Sequence, residues 1–288
     1  MSATEPENPQ NPPMVPPGAR QLAIDLAREA GALLRDRLDT PHEVQRKGTI
    51  DLVTDADRAS EALITAGIRD AFPEHRLVGE EGARGAVDTG QAPSPYGWII
   101  DPLDGTTNFA HRYPHFAVSI ALEQLGRPIL GVVHDPMRDE MFVGEVGQPS
   151  LLNDRPIHVS ETDVLLASLL ATGFPYDLSK RRESNALWQA FNGSAQGVRR
   201  DGAAALNLCY LAAGRLDAYW ERPVQPWDMA AGVVIVRGAG GTITSLEHDD
   251  HDVYGNEVVA TNGHLQGEVR GLIQATLEDL LSSADDRR

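Results

Sequence analysis

Residues 98–109 place the strongest constraint on how this chain folds, because they join an apolar strand to two carboxylates and a glycine. Asp101 ends the apolar run, and the proline after it disfavours helix at Asp101 and lacks a backbone donor. Asp104 comes directly before Gly105, and glycine adopts positive φ without strain. The segment therefore predicts a strand that ends at Asp101, a tight turn, and a helix that opens at Thr106 with free backbone N–H groups.

Two neighbouring carboxylates beside a helix N-terminus favour a metal site over a purely structural turn. Asp101 and Asp104 repel each other, and both are costly to desolvate. Mg²⁺ resolves this conflict, since it prefers carboxylate, carbonyl and water oxygens and usually bridges to a substrate phosphate. The helix N-terminus can bind that phosphate through its N–H groups. The alternative is an Asx-turn with a helix cap, which is the most common use of such a run in a loop.

Three further acidic groups follow or begin apolar elements. Asp57 stands three residues after Thr54 at the start of a helical pattern, Glu80 follows a short apolar strand, and Asp228 opens a strongly apolar helix. Each has an ordinary explanation: a capping box, an exposed acidic turn, and complementation of a helix dipole. Strand ends and helix starts are also where layered α/β proteins assemble their sites. Together with Asp101, these residues predict one shared acidic site.

Three separated motifs, in this order along the chain, resemble the signatures of the inositol monophosphatase family. They are Gly79-Glu80-Glu81, Asp101-Pro-Leu-Asp-Gly-Thr-Thr-Asn-Phe109 and Trp227-Asp228. The resemblance covers nearly everything except the two tails, and the family belongs to the lithium-sensitive, Mg²⁺-dependent phosphatases. Thr107 matches the inositol monophosphatase version, whereas relatives acting on histidinol phosphate or nucleotide bisphosphates more often have lysine there. The resemblance implies a layered αβαβα sandwich of the inositol monophosphatase and fructose-1,6-bisphosphatase type.

The resemblance also assigns metal ligands to matching positions of this sequence. Asp101 is expected to bridge two Mg²⁺ ions, out of about two or three per site. Glu80 and the backbone carbonyl of Leu103 are expected to complete the shell of the first ion. Asp104 and Asp228 are expected to hold the second ion, near the ester oxygen that leaves. A water on the first ion is then the nucleophile, and lithium is expected to inhibit at the second site.

Catalytic and phosphate-binding roles follow from the same resemblance. Thr106 is expected to orient the attacking water through its hydroxyl, with Asp57 accepting a hydrogen bond from Thr106. The catalytic residues are therefore expected to be Asp57, Thr106 and Glu80. The backbone N–H groups of Gly105 and Thr106 are expected to contact the phosphate, and Asp104 lies on the substrate side as well.

The residues that recognise the alcohol part of the substrate are less fully matched. Glu221 stands where the family binds inositol hydroxyls, and a carboxylate is a suitable acceptor for a polyol. A surface charge at a strand end is its ordinary explanation. Gly202 and Ala203 match another substrate-binding stretch, but Ala203 lacks the hydroxyl that often stands there. Arg199 and Arg200 could meet the substrate or a neighbouring subunit.

Three functions are consistent with these motifs. The first is a Mg²⁺-dependent inositol monophosphatase with some breadth toward sugar and polyol phosphates. The second is hydrolysis of histidinol phosphate or fructose 1,6-bisphosphate, and Thr107 and Glu221 weigh against histidinol phosphate. The third is a non-catalytic regulatory or binding protein on the same scaffold. The full acidic set argues against the third, because a scaffold without catalysis has no use for so many converging carboxylates.

Charge and composition narrow the class of partner. A net charge of −17 argues against a nucleic-acid binder, since a phosphate backbone is repelled. The single cysteine, Cys209, lies in an apolar helical run and is expected to be a buried, inert thiol. No secretory signal and no membrane span are recognised, so a cytoplasmic enzyme is expected. A homodimer acting on a small phosphate ester is expected from the resemblance.

The predicted organisation is a single phosphatase fold between two tails. Residues 1–18 carry six prolines and predict a disordered tail, and residues 283–288 predict a polar C-terminal tail. Residues 19–150 favour an α+β half that carries the metal site. Residues 151–282 alternate helices and strands and favour an α/β half that carries substrate residues.

Overall fold

The computed structural model describes residues 14–40, 45–46, 52–82, 84–85 and 94–285. Most of the predicted N-terminal tail and the last three residues lie outside the described residues. The helices are α1 (Ala19–Arg37), α2 (Asp55–Ala71), α3 (Thr106–Ala110), α4 (Arg181–Asn192), α5 (Ala204–Ala212), α6 (Pro226–Gly238) and α7 (Gln266–Asp285), with 3₁₀ turns at Leu165–Ala167 and Leu178–Lys180.

The strands form two large sheets and one small hairpin. They are β1 (Gln45–Arg46), β2 (Leu52–Val53), β3 (Arg76–Gly79), β4 (Arg84–Gly85), β5 (Tyr96–Asp104), β6 (Ala117–Gln124), β7 (Arg127–Asp135), β8 (Glu140–Glu145), β9 (Leu151–Leu152), β10 (Arg155–Pro156), β11 (Leu169–Thr172), β12 (Gly197–Arg199), β13 (Ala218–Glu221), β14 (Thr242–Thr244) and β15 (Val258–Thr261). The first sheet has the order β10-β9-β8-β7-β6-β5-β3-β4, and the second has the order β12-β11-β13-β15-β14. The first is antiparallel except for β3 with β5, and in the second β11 runs parallel to β12 and β13.

Helices and sheets alternate in five layers, so the predicted αβαβα sandwich is confirmed. Helices α1 and α2 cover one face of the first sheet, and α5 and α6 fill the space between the two sheets. Helices α4 and α7 pack on the outer face of the second sheet. This arrangement directs the ends of several elements toward the central layer.

Helix α6 is apolar around nearly its whole circumference, as a helix in a central layer must be. It lies unusually close to the first sheet. A Cβ at Gly131 would overlap the backbone of Ala231, and one at Gly144 would lie 2.8 Å from the backbone of Ile235. The two glycines therefore let the helix approach the strands, which fixes the position of the first turn of α6 and of Asp228 in it.

Strand β5 continues through the acidic motif, so the prediction that it ends at Asp101 was wrong. Asp101 pairs with Ser119 and Asp104 pairs with Ala117, with a register shift between the two pairs. The residue after Asp101 is a proline, which cannot donate to the ladder, so the strand bulges there and pairing resumes at Asp104. The bulge holds both carboxylates on one rigid strand.

Two predicted boundaries differ from the structure. Strand β9 pairs with β8 and β10 pairs with β9, so the first sheet extends to Pro156 and beyond the predicted division after residue 150. Helix α7 runs to Asp285, so the first part of the predicted C-terminal tail, from residue 283, is helical. Both differences fall at the ends of elements, which a local sequence pattern locates least well.

Candidate active site

One cleft, of about 350 Å³, brings together ten of the eleven predicted site residues. Its walls come from β5, the start of α3, the start of α5, the end of β13 and the start of α6. The predicted residues that line it are Glu80, Asp101, Leu103, Asp104, Gly105, Thr106, Gly202, Ala203, Glu221 and Asp228. The eleventh, Asp57, is fully buried behind Thr106.

Asp101 and Asp104 are buried together, and their electrostatics reflect it. Asp101 is 2% exposed and Asp104 is 6% exposed. Burial raises the pKa of Asp101 well above its ordinary value, and the negative charges of Glu80, Asp104 and Asp228 raise it further. Burial also raises the pKa of Asp104, with Asp228 adding to the effect. A cation among these groups would relieve this repulsion.

Asp104 connects the first sheet to the central layer. Its two carboxylate oxygens accept hydrogen bonds from the backbone N–H of Ala204, at 3.1 Å, and of Ala205, at 2.8 Å. These are the first two N–H groups of α5, which have no partner inside the helix. Asp104 therefore serves as an N-terminal cap for a helix about 100 residues away in the sequence.

Thr106 and Asp57 form a fixed pair behind the cleft. The Thr106 hydroxyl lies 3.0 Å from Asp57 Oδ1 and 3.1 Å from the carbonyl oxygen of Leu103. The other oxygen of Asp57 accepts from the backbone N–H of Thr54 at 2.8 Å, within a capping box at the start of α2. The capping box leaves Asp57 Oδ1 directed at Thr106.

The turn between β5 and α3 depends on a single glycine. Gly105 has a φ of +96°, a region in which other residues are strained. A side chain there would also press against the backbone of His115 and Phe116. Asn108, in α3, donates to the carbonyl oxygens of His115 and Asp201, so the turn is held from both sides.

Asp228 lies in the first turn of α6, as the sequence predicts. Its Oδ2 accepts from the backbone N–H of Gln225 at 2.8 Å. Both Asp228 and Glu80 are half-buried and line the cleft. The charge of each raises the pKa of Asp101, which places them within electrostatic range of it.

Glu221, the last residue of β13, also lines the cleft. It accepts a hydrogen bond from the hydroxyl of Tyr219. Burial raises the pKa of Glu221 to about 7, while the Tyr219 hydrogen bond and the positive charge of Arg200 act in the other direction. Arg200 lines the cleft and lies over the ring of Phe174, whereas Arg199 is not among the lining residues.

Several cleft residues were not predicted from the sequence. They are Gly173, Phe174, Tyr176, Arg200, Ala204, Asn207, Gln225 and Trp227. The sequence assigns no single role to Arg200. Asn207 had a detectable signal, because it is the one amide in an apolar helical run. Gly173 had none, since its proximity to Glu221 depends on the pairing of β11 with β13.

The donors of the cleft suit a hard divalent cation. Five carboxylates, those of Glu80, Asp101, Asp104, Glu221 and Asp228, and the carbonyl of Leu103 offer oxygen atoms, and no described histidine or cysteine side chain lines the same space. Within the described part of the chain, no three acidic, His or Cys side chains already stand as a ready-made ligand set. The carboxylates of the cleft are positioned by the backbone. Each of Asp101, Asp104 and Asp228 accepts a hydrogen bond from a backbone N–H group.

A family model described as the inositol monophosphatase family matches residues 19–281. The chain belongs to the inositol monophosphatase family. It is 43% identical to an inositol-1-monophosphatase of Synechocystis sp., over 92% of this chain and 93% of that protein. It is 40% identical to the Nus factor SuhB of Escherichia coli K12, over 91% and 97% of the two chains.

Solved structures agree with the family assignment. The inositol monophosphatase from Anabaena (Nostoc) sp. PCC 7120 superposes with a TM-score of 0.79 at 40% identity, covering 89% of this chain and 95% of that chain. Membership of this family indicates a phosphatase, and phosphatases of this family generally depend on a metal ion. None of the described helices is long and apolar enough to cross a membrane.

Proposed function

We propose that this protein is a Mg²⁺-dependent phosphomonoesterase that hydrolyses inositol monophosphate to inositol and phosphate, with breadth toward sugar and polyol phosphates. One observation carries the proposal. The carboxylates of Glu80, Asp101, Asp104 and Asp228 line a single cleft beside a threonine hydroxyl that is held by a buried aspartate. Such a cluster binds a phosphate dianion only when cations reverse its charge.

The proposed metal ligands are the oxygen donors of the cleft. Asp101, Glu80 and the Leu103 carbonyl would hold one ion, and Asp101, Asp104 and Asp228 would hold another. Bound Mg²⁺ supplies neutralisation of the phosphoryl charge and makes a nearby water more acidic. The mutual repulsion of Asp101 and Asp104 supports this assignment, since binding a cation turns an unfavourable arrangement into a favourable one.

Thr106 is proposed to orient the attacking water. Its hydroxyl proton points to Asp57 Oδ1 or to the Leu103 carbonyl, both about 3 Å away, so its oxygen is free to accept a hydrogen bond from water. A hydrogen bond from Thr106 to Asp57 would fix the direction of that oxygen. Because Asp57 is itself fixed by Thr54, the alignment costs little reorganisation when the substrate binds.

The two ends of the cleft would bind the two parts of the substrate. The backbone N–H groups of Gly105 and Thr106 are proposed to contact the phosphate. Glu221 is proposed to accept hydroxyls of the alcohol part, with Gly202 and Ala203 shaping the wall between them. The assignment of Glu221 to recognition rests on the match of its position to the residue that binds inositol hydroxyls in the family.

A phosphate-release panel tests the proposal. The full-length protein is assayed with inositol 1-phosphate, fructose 1,6-bisphosphate, histidinol phosphate and p-nitrophenyl phosphate, with Mg²⁺ or with EDTA. We expect release only with Mg²⁺, the highest kcat/KM for inositol 1-phosphate, and inhibition by lithium. Preference for fructose 1,6-bisphosphate or histidinol phosphate would overturn the substrate assignment, and release in EDTA would overturn the metal dependence.

A role as a regulatory factor is the second candidate, because relatives at 40–42% identity carry the name Nus factor SuhB. The acidic cleft favours catalysis over a purely regulatory role, and a net charge of −17 weighs against direct binding of nucleic acid.

We also propose a cytoplasmic location and a homodimer. Both rest on the sequence-based expectations alone, and sedimentation showing a 31.2 kDa monomer would remove the dimer.

A further inference from the structure

Tyr219 holds the carboxylate of Glu221 from inside the core of the protein. Its hydroxyl donates a hydrogen bond to Glu221 Oε2, and its side chain is fully buried. Among the described residues, no other group donates a hydrogen bond to this carboxylate. The direction of the Glu221 carboxylate therefore depends on a single hydroxyl.

The alternation of side chains along β13 brings the two residues together. Tyr219 and Glu221 point to one face of the strand, and Trp220 points to the other. The Tyr219 ring packs in the core between the two sheets, whereas Trp220 stacks on Phe191 of α4. Strand β13 is paired on both sides, with β11 and with β15. Both the backbone and the ring that carry the Tyr219 hydroxyl are thus held in place.

The hydroxyl of Tyr219 is the donor of this pair, and Glu221 is the acceptor. Burial raises the pKa of Tyr219 well above its ordinary value, and the charge of Glu221 raises it further, so the hydroxyl keeps its proton. The hydrogen bond in turn lowers the pKa of Glu221, against the larger effect of burial. Tyr219 therefore favours the ionised form of Glu221, which only accepts hydrogen bonds.

This hydrogen bond leaves acceptor capacity on Glu221 for a ligand. A carboxylate offers about four lone-pair sites on its two oxygens. Oε1 accepts no hydrogen bond within the described chain and is not enclosed by it, and Glu221 lines the cleft. One oxygen is thus fixed from the core while the other is open to a donor in the cleft.

We propose that Tyr219 is a positioning residue that aims the Glu221 carboxylate at the hydroxyls of the substrate's alcohol part. The inference rests on the proposed function, in which Glu221 accepts those hydroxyls. Without the Tyr219 hydroxyl, the carboxylate is free to turn, and the substrate must order it on binding, which weakens the contact. A substrate whose alcohol part carries no hydroxyl is not affected.

The test compares Tyr219→Phe with the same substitution at a second tyrosine. Phenylalanine keeps the ring that packs in the core and removes only the hydroxyl. Tyr254 is the matched control, because its hydroxyl donates at 2.9 Å to the buried carboxylate of Glu123, and neither residue lines the cleft. Each variant therefore takes one donor from a buried carboxylate, and only Tyr219→Phe takes it from the cleft.

For Tyr219→Phe we expect the ratio of kcat/KM for inositol 1-phosphate to that for p-nitrophenyl phosphate to fall about fivefold, mainly through KM. For Tyr254→Phe we expect the ratio of the parent. The folded fraction cancels in this ratio, since both substrates are assayed on one sample. An unchanged ratio in Tyr219→Phe overturns the proposal, and so does an equal fall in Tyr254→Phe.

A double-mutant cycle with Glu221→Gln shows whether Tyr219 acts through Glu221. Once Glu221 is replaced, adding Tyr219→Phe should change the ratio by less than about twofold, because the group that Tyr219 positions is gone. A full fivefold loss in that background would mean that Tyr219 acts by another route and would overturn the proposal.

The parent protein and Glu221→Gln separate this inference from the proposed function. If the parent prefers another polyol phosphate, the substrate assignment fails, and the comparison is made with that substrate against p-nitrophenyl phosphate. If Glu221→Gln lowers the ratio and Tyr219→Phe does not, the recognition role of Glu221 stands and the positioning role of Tyr219 is wrong. If Glu221→Gln leaves the ratio unchanged, both roles are wrong.

Discussion

Gly173 leaves free the space in which the carboxylate of Glu221 lies. A Cβ atom at position 173 would overlap both carboxylate oxygens and the carbon between them. The two residues meet because β11 and β13 are paired in parallel with Thr172 opposite Trp220. Gly173, which follows β11, is therefore brought alongside Glu221, the last residue of β13. The position of the Glu221 carboxylate therefore requires a glycine at position 173. The two residues are 48 apart in the sequence, the same separation as that between Thr172 and Trp220, where the Thr172 hydroxyl donates to the Trp220 carbonyl.

Gly173→Ala is expected to displace the Glu221 carboxylate and weaken recognition of the alcohol. We expect the ratio of kcat/KM for inositol 1-phosphate to that for p-nitrophenyl phosphate to fall about tenfold. Combining Gly173→Ala with Glu221→Gln should add little, because both act on one group. Gly193→Ala is the control, since a Cβ there makes only ordinary contacts at 3.6 Å. Full additivity would show that Gly173 acts elsewhere.

Glu221→Gln alone is expected to raise KM for inositol phosphate and to lower kcat modestly. The proposed contact is made to the alcohol part of the substrate and not to the phosphoryl group, so it contributes mainly to binding. A charge-assisted hydrogen bond contributes about 1.5–3 kcal/mol, which corresponds to about one to two decades in kcat/KM. Steady-state kinetics on inositol 1-phosphate and p-nitrophenyl phosphate measure the difference. Equal losses on both substrates would instead assign Glu221 to the metal shell or to structure.

Asp101→Asn is expected to abolish Mg²⁺-dependent turnover while stabilising the metal-free protein. In the folded state, burial and the charges of Glu80, Asp104 and Asp228 raise the pKa of the Asp101 carboxyl. The folded protein is therefore destabilised as the pH rises through this raised pKa and the carboxyl ionises. In EDTA at neutral pH we expect the variant's Tm to exceed the parent's by at least about 2 °C. The gain should shrink as the pH falls. Calorimetry checks both, and retained turnover would exclude Asp101 as a metal ligand.

Thr106→Val is expected to lower kcat by about two orders of magnitude, because valine has the shape of threonine without the hydroxyl that links Asp57 to the water. KM should change much less, since the phosphate contacts assigned to this turn come from the backbone. Thr106→Ser keeps the hydroxyl and should retain activity within about tenfold of the parent. If the valine and serine variants lose activity equally, the methyl packing of Thr106 matters rather than its hydroxyl.

His251 gives the protein a pH-dependent stability that is independent of the cleft. Burial and the nearby charge of Arg237 lower its pKa to about 4, from 6.5. The unfolded chain therefore binds more protons than the folded chain between these values, and stability falls as the pH drops from about 6.5 toward about 4. The slope from this group is at most about 1.4 kcal/mol per pH unit. His251→Asn should flatten urea-unfolding stability across that window, and an unchanged slope would assign the effect to other groups.

The acidic site could be predicted because each of its side chains belongs to a local signal. Asp57 follows Thr54 in a capping box, Asp228 opens an apolar helix, and Gly105 occupies a turn that requires positive φ. These features depend on a few adjacent residues, which is the range over which sequence patterns operate. The roles assigned to these residues in catalysis remain predictions.

Features that depend on pairing between distant segments could not be predicted in the same way. The extension of β5 through Asp104 depends on β6 continuing the ladder on the far side of the bulge. The link from Asp104 to α5 spans two layers, and nothing in the sequence near Asp104 indicates it. Asn207 is recognisable as the one amide in an apolar helix, but the sequence does not indicate which face of that helix meets the cleft.

The hydrogen bonds from α5 to Asp104 tie a residue of the cleft to the contact between the first sheet and the central helical layer. A partly opened state in which each hydrophobic core is still packed would already have separated this carboxylate from the N–H groups of Ala204 and Ala205. Turnover would then cease while circular dichroism still reported a folded protein. Activity therefore reports on the alignment of the first sheet with the central helical layer more sensitively than any measure of secondary structure.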